Sequence, residues 1–303
     1  MIFKLNKSIN QPIVLPKKHR VELFLKREDA IHPFISGNKY RKLKYNIEEA
    51  KKSGFKKLLT FGGAYSNHIA AVAFAGKEFG FKTVGIIRGD ELKDKIQENP
   101  TLLFAQSCGM QFKFISRELF REKLSTVFIK RLEEEFDRFY LLPEGGTNAL
   151  AIKGCEEILT EEDANFNVVC CSVGTGGTIS GIINCSQPSQ QILGFSALNG
   201  SFLKEDISKF VDKENWEIIT TYHFGAYGKV NAELIHFINR FKRDNNIQLD
   251  PVYTGKMMFG IFDLLENGYF AKGSRILAIH TGGLQGILGM NTVLKQKKMP
   301  LIE

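Results

Sequence analysis

The 303-residue sequence contains no run of about 18 apolar residues, so no membrane-spanning helix is expected. Its first twenty residues, MIFKLNKSINQPIVLPKKHR, lack the apolar stretch of a secretion signal. The five cysteines are odd in number and form no C-x-x-C pair, which argues against a disulfide scaffold or a thiol zinc site. Reduced thiols in a cytoplasmic protein are the expectation. Cys170 and Cys171 are adjacent in a strand-like run and should face opposite ways. Six histidines show no metal-ligand spacing, so no metal is expected. G-x-S-x-G is absent, which disfavours a serine hydrolase, and so is the P-loop G-x-x-x-x-G-K-[ST]. With 43% hydrophobic and 24% charged residues, the composition is that of a globular protein. A net charge of +8 would suit a nucleic acid, a membrane surface or a small anion. The basic residues form only short clusters, at 17–20 and 295–298, of the kind found on a solvated face. Neither a nucleic-acid nor a membrane partner is expected.

Strand-like and helix-like segments alternate. Strands are predicted over 21–26, 58–61, 83–87, 112–115, 139–142, 168–172, 192–196, 217–222 and 275–279. Helices are predicted over 37–52, 67–79, 101–107, 118–136, 149–159, from 178, and over 232–243 and 256–266. This is an α/β chain with mainly parallel sheets covered by helices on both faces. Ligands of such sheets sit beyond the carboxyl ends of strands. Glycine-rich turns follow strands at Gly62-Gly63, Gly145-Gly146, Gly174 to Gly177, and Gly282-Gly283.

The turn Ser172-Val173-Gly174-Thr175-Gly176-Gly177-Thr178 runs from a strand into a helix. Its small residues leave backbone N–H groups free, the helix start adds partial positive charge, and Thr175 and Thr178 add hydroxyls. It reads as a phosphate cup, with a ligand-free tight turn as the competing reading. A dinucleotide fingerprint fails, because Ile179 stands where the third glycine belongs. In Ser36-Gly37-Asn38-Lys39-Tyr40-Arg41-Lys42, a lysine opens a helix where acidic groups are favoured. Burial beside other cations would lower its pKa, and a neutral or imine-linked amine escapes the penalty. On charge alone, a solvated lysine is the simpler reading. Lys42, three residues on, shares the face of Lys39. Gly62-Gly63-Ala64-Tyr65-Ser66-Asn67-His68 also opens a helix, and its N–H groups suit a carboxylate. Ser66 by itself reads as an N-cap, and His68 by itself as a structural histidine.

Together these segments resemble the fold-type II pyridoxal 5'-phosphate (PLP) enzymes, the tryptophan synthase β-like superfamily. More narrowly they resemble its 1-aminocyclopropane-1-carboxylate (ACC) deaminase and D-cysteine desulfhydrase family. The motifs LKRED (25–29), SGNKYRKL (36–43), GG-x-x-SNH (62–68), VGTGGT (173–178), DPVYTGK (250–256) and HTGG (280–283) occur in the family's order. The resemblance implies a two-domain fold. A larger PLP-binding domain would comprise 1–43 and 155–303, with a smaller α/β domain inserted at 44–154 and the cofactor between them. By position it makes Lys39 the Schiff-base lysine and Lys42 a phosphate ligand beside Gly174, Thr175, Gly176, Gly177 and Thr178. Asn67 would bond the PLP 3′-oxygen, and Thr281 would partner the pyridine nitrogen. Ser66, Asn67 and His68 would hold the substrate carboxylate. Tyr227 and Tyr253 match two active-site tyrosines, with Tyr253 also against the substrate. A homodimer is implied as well.

Departures narrow the activity. ACC deaminases carry Glu where Thr254 stands and an apolar residue where Thr281 stands, and they tend to read SNQ rather than SNH. Threonine cannot keep the pyridine protonated. A weaker electron sink suits β-elimination, where a leaving group at Cβ takes the electrons. Tyr65 replaces the common Gln. The expectation is a lyase or hydrolase that deaminates a small amino acid: D-cysteine to pyruvate, sulfide and ammonia. Lys39 would take the Cα proton, and Tyr227, Tyr253 or Ser66 would serve the leaving group. ACC deaminase, a D-serine dehydratase-like activity and a racemase are the alternatives within the class. Outside it stand a nucleotide-dependent oxidoreductase and a non-enzymatic basic binding module.

Overall fold

Short runs rich in Val, Ile, Leu and Phe form most of the strands, and the amphipathic stretches between them cover the sheets. The computed structural model describes residues 5–15, 20–35, 37–198 and 202–303. Residues 17–19 of the N-terminal basic cluster and Ser36 lie outside the described residues. The strands are β1 (Asn10–Pro12), β2 (Glu22–Lys26), β3 (Lys57–Gly63), β4 (Lys82–Arg88), β5 (Met110–Ile115), β6 (Tyr140–Leu142), β7 (Val168–Val173), β8 (Gln191–Ser196), β9 (Trp216–Ile219) and β10 (Arg275–Ile279). The first six helices are α1 (Asn38–Lys52), α2 (Asn67–Phe79), α3 (Pro100–Ser107), α4 (Arg117–Arg121), α5 (Thr126–Phe136) and α6 (Ala149–Cys155). Then come α7 (Gly177–Cys185), α8 (Phe202–Ser208), α9 (Ala232–Asn245), α10 (Thr254–Glu266) and α11 (Gly286–Gln296).

A six-stranded sheet runs in the order β1-β2-β10-β7-β8-β9, and a four-stranded sheet in the order β5-β4-β3-β6. All neighbours are parallel except β1 and β2. β1 ends in Pro12, which has no N–H to donate, and it occupies a sheet edge. Every residue of β7 is buried. Cys170 packs with Leu193 and Ile276 on one face, Cys171 with Val173 and Ile279 on the other, so the adjacent thiols do point apart. All five cysteines are free thiols. Among the described residues no helix is long and apolar enough to cross a membrane.

The strand order decides where a ligand can sit. From β7 the chain moves to β8 on one side, while β10 returns on the other. From β3 it moves to β4, while β6 returns on the other side. At each such reversal the connections diverge and leave a crevice beyond the strand ends. The four glycine-rich turns follow β3, β6, β7 and β10, the strands that form the two reversals.

Some local expectations differ from the structure. The predicted helix over 118–136 is two helices, because the Ser125 hydroxyl accepts from the Phe128 N–H and starts α5 afresh. α6 stops at Cys155 rather than at 159, and Ile158 turns into the core. β9 ends at Ile219, which leaves Tyr222 in a turn with its hydroxyl on Asp263 at 2.7 Å. The helices α8 and α11 were not expected.

Candidate functional site

The turn after β7 leads into α7, whose first residues have no side-chain cap, so its leading N–H groups stay available. Small residues let other groups close in on this turn. A Cβ at Gly177 would lie 2.8 Å from the Thr147 hydroxyl and 3.1 Å from the Lys42 amine. The Thr175 hydroxyl is 2.6 Å from that of Thr147. The Thr178 hydroxyl accepts from Asn38 Nδ2 at 2.8 Å. Thus the loop after β6, the start of α1 and the loop after β7 meet at one cup.

Gly37 ties α1 to the turn after β10. Its φ is +60°, and a Cβ there would stand 2.1 Å from the Thr281 carbonyl oxygen, so only glycine fits. Gly37 also donates its N–H to the Glu28 carbonyl at 2.9 Å. LKRED is this scaffold. Glu28 receives Arg41 through two bonds of 2.8 and 2.9 Å, and Lys26 reaches Asp163 at 2.7 Å. Both ion pairs are buried, and the first fixes the helix that carries Lys39.

Lys39 Nζ donates to Asn38 Oδ1 at 3.0 Å. Burial, and then repulsion from Lys42, lower its pKa from 10.5 to about 7, against opposing effects of Cys155, Asp250 and Cys171. Lys42 is 3% exposed. Its amine reaches the Gly145 carbonyl and the Thr147 hydroxyl, each at 3.0 Å, and the Thr175 hydroxyl at 3.4 Å. Burial lowers its pKa too.

Beyond β3, the Ser66 hydroxyl caps α2 by accepting from the His68 and Ile69 N–H groups at 3.2 and 3.4 Å. Its own proton remains available to donate. Asn67 Oδ1 accepts from Gln285 at 3.3 Å. His68 is 2% exposed. Its Nε2 lies 2.9 Å from the Thr60 hydroxyl, which also lies 3.0 Å from the Leu142 carbonyl. Which of Nε2 and the hydroxyl donates to the other depends on the ring tautomer, and the other nitrogen, His68 Nδ1, is buried. Burial lowers the His68 pKa well below 6.5, helped by Lys39 and Lys42 and opposed by a hydrogen bond to the Pro143 backbone.

At the end of β10, the Thr281 hydroxyl lies 3.2 Å from Ser172 Oγ and 3.5 Å from Thr254 Oγ1, all three residues being buried. Asp250 is fully buried, and its carboxylate accepts from the N–H groups of Val252, Tyr253 and Thr254 at 2.7 to 2.9 Å. The Tyr227 and Tyr253 rings meet edge to face, with centroids 5.9 Å apart. Burial raises both phenol pKa values, Tyr253 well above 10. Tyr253 also borders the cup, 3.1 Å from where a Gly174 Cβ would stand.

Several of the residues singled out in the sequence are brought into contact by the fold. Lys42 and Thr175 bond directly, and Lys39 joins Thr178 through Asn38. Thr281 lies beside Gly37, and Tyr227 beside Tyr253. The contributions of Asn38, Thr147, Asp250, Ser172 and Gln285 were missed. Asn38 and Asp250 sit inside motifs already singled out, so a capping and bridging analysis of those motifs could have found them. Nothing local marks Thr147 or Gln285.

These residues fit a phosphate-bearing aldehyde: a desolvated amine for the carbonyl carbon, and beside it a small-residue cup with a buried lysine and two threonine hydroxyls for the phosphate. The family model for pyridoxal-phosphate dependent enzymes matches residues 10–282. The chain belongs to that family and has its fold-type II, tryptophan synthase β-like architecture. A Pyrococcus horikoshii protein named "Putative 1-aminocyclopropane-1-carboxylate deaminase" is 30% identical over 88% of this chain and 85% of its own. The bifunctional D-cysteine desulfhydrase/1-aminocyclopropane-1-carboxylate deaminase of Arabidopsis thaliana is 29% identical over 88% of this chain and 73% of its own. A solved structure described as an ACC deaminase homologue superposes with a TM-score of 0.81 at 25% identity, covering 96% of this chain and 93% of that one.

Proposed function

We propose that this enzyme eliminates a β-substituent from a small amino acid, with D-cysteine as the preferred substrate and pyruvate, sulfide and ammonia as products. The observation that carries the reading is the neutral hydroxyl group of three at the end of β10: Ser172, Thr254 and Thr281. Asp250, whose charge acts on Lys39, spends its carboxylate on three N–H groups of its own turn. A hydroxyl partner leaves the pyridine nitrogen neutral, which favours reactions in which a leaving group at Cβ takes the electrons.

When bound, PLP makes the substrate's Cα proton acidic by accepting electron density. The chain supplies the rest. Lys39, with its pKa near 7, exists in part as a free base and can take that proton. The Ser66 O–H and the Asn67 N–H, which the Ser66 cap does not engage, would hold the carboxylate. Tyr227 and Tyr253 stay protonated at neutral pH and can hand a proton to a departing thiolate. Such a reaction is that of a lyase, not of a hydrolase.

Purified protein incubated with D-cysteine, L-cysteine, D-serine and ACC, and assayed for sulfide and keto acids, tests the reading. Sulfide and pyruvate from D-cysteine are expected. Turnover of ACC alone would overturn the weight placed on Thr254 and Thr281. The protein should also be yellow with PLP, and Lys39→Ala should lose the visible band.

A further inference from the structure

Lys256 is 2% exposed and carries an ammonium with no carboxylate in direct contact among the described residues. A buried cation is costly unless its donors are engaged. Two of them go to backbone carbonyls: His223 at 2.8 Å and Ala226 at 3.1 Å. These belong to a loop without strand or helix, in which Phe224, Gly225 and Gly228 have φ of 55°, 97° and 68°. Within the loop, the Ala226 carbonyl also accepts from the Lys229 N–H at 3.1 Å, so Lys256 adds a second bond there and ties that turn to the His223 carbonyl. The bonded carbonyls bracket Phe224 and Gly225, and the second directly precedes Tyr227. Elsewhere the loop rests on α10 through aromatic contacts: Phe224 meets Phe259 edge-on, with centroids 5.1 Å apart. Tyr227 itself is 44% exposed and is held within the site by one neighbour, Tyr253, through an edge-on ring contact and a hydrogen bond between the phenols, so its position depends on how the loop backbone is fixed.

We infer that Lys256 is a positioning residue, whose buried ammonium clamps the 223–226 backbone and so sets where the Tyr227 phenol stands over the site. The inference rests on the proposed placement of Tyr227 at the substrate. A methylene stem of the same length would fill the space, so the clamp depends on the two charge-assisted bonds and not on bulk.

The holoenzymes of wild type, Lys256→Met and Lys256→Gln are compared by hydrogen exchange and kinetics, with Gln deciding if the Met variant does not accumulate. Loss of the two bonds should speed amide exchange across 224–228 by about tenfold or more while the visible band of the bound cofactor remains. It should lower kcat on the best amino acid more than it raises KM. In a Tyr227→Phe background the further loss should nearly vanish, because both changes act through one phenol. Unchanged exchange at 224–228 would overturn the clamp. Losses that multiply in the double variant, or faster exchange with unaltered kcat, would overturn its link to Tyr227. If no amino acid is turned over, the proposed function fails, while the exchange arm still decides the clamp.

Discussion

Titration of the Lys39 amine tests the site most directly. Burial, with repulsion from Lys42 second, brings its pKa from 10.5 to about 7. At pH 7 roughly half the molecules would then carry a neutral amine, against about one in 3000 for a lysine at 10.5. That difference is what makes attack on an aldehyde fast at neutral pH. With 13C-labelled lysine, the Lys39 signal of the cofactor-free protein, assigned by its loss in Lys39→Ala, should titrate near 7. Lys42→Met should move the midpoint up, but not to 10.5, because burial is the larger cause. The same shift has a consequence for stability. Between about pH 7 and 10.5 the unfolded chain holds a proton that the folded chain has released, so stability rises with pH across that window. Below pH 7 both states hold it, and the folded state bears the whole cost of the buried cation. At about 1.4 kcal/mol per pH unit the bound is roughly 5 kcal/mol, and the real value is smaller because the side chain is partly exposed. Lys39→Met should remove this pH dependence in thermal unfolding. A midpoint near 10 in the wild type would refute the argument.

Three further outcomes are expected. Gly37→Ala combines a φ of +60° with a Cβ 2.1 Å from the Thr281 carbonyl, and should destabilise the protein by about 3 kcal/mol or more in urea unfolding while abolishing the visible band. Glu28→Gln leaves the buried Arg41 guanidinium with only the more distant, half-buried Glu157 carboxylate at 3.5 Å and should cost about 3 kcal/mol, read from the urea midpoint; a loss below about 1 would show that the Glu28 pair does not hold α1. Gly177→Ala places a methyl 2.8 Å from the Thr147 hydroxyl and 3.1 Å from the Lys42 amine, and should weaken PLP binding about tenfold but leave pyridoxal, which has no phosphate, nearly unaffected.

Legibility followed the locality of the signal. α2 was read correctly at both ends, because a Ser66 cap and a left-handed Gly80 bound an alanine-rich run. The break between α4 and α5 was not, since Ser125 reads equally as a tolerated helix residue until its hydroxyl is seen on Phe128. α11 begins without a side-chain cap, directly after a glycine turn, and so gave no start signal. Thr175 and Thr178 stood out locally in a strand–glycine–helix turn, whereas Lys39 and Lys42 read locally as solvated lysines and took their roles from the family resemblance. Lys256 was not visible, because nothing in DPVYTGK says that its amine points at carbonyls 30 and 33 residues earlier.

Sequence alone determined the alternating elements and the glycine turns after strands, since each depends on neighbours within a few residues. Tertiary structure decided which turns share a crevice, through strand orders that reverse at β7/β10 and β3/β6. It also decided that LKRED is a buried ionic scaffold, that His68 commits one nitrogen to Thr60, and that Asp250 is engaged by its own turn. The physical reason is common to all of these: burial and long-range pairing set a group's charge and free hydrogen-bonding capacity, and neither exists until segments distant in the chain are packed together.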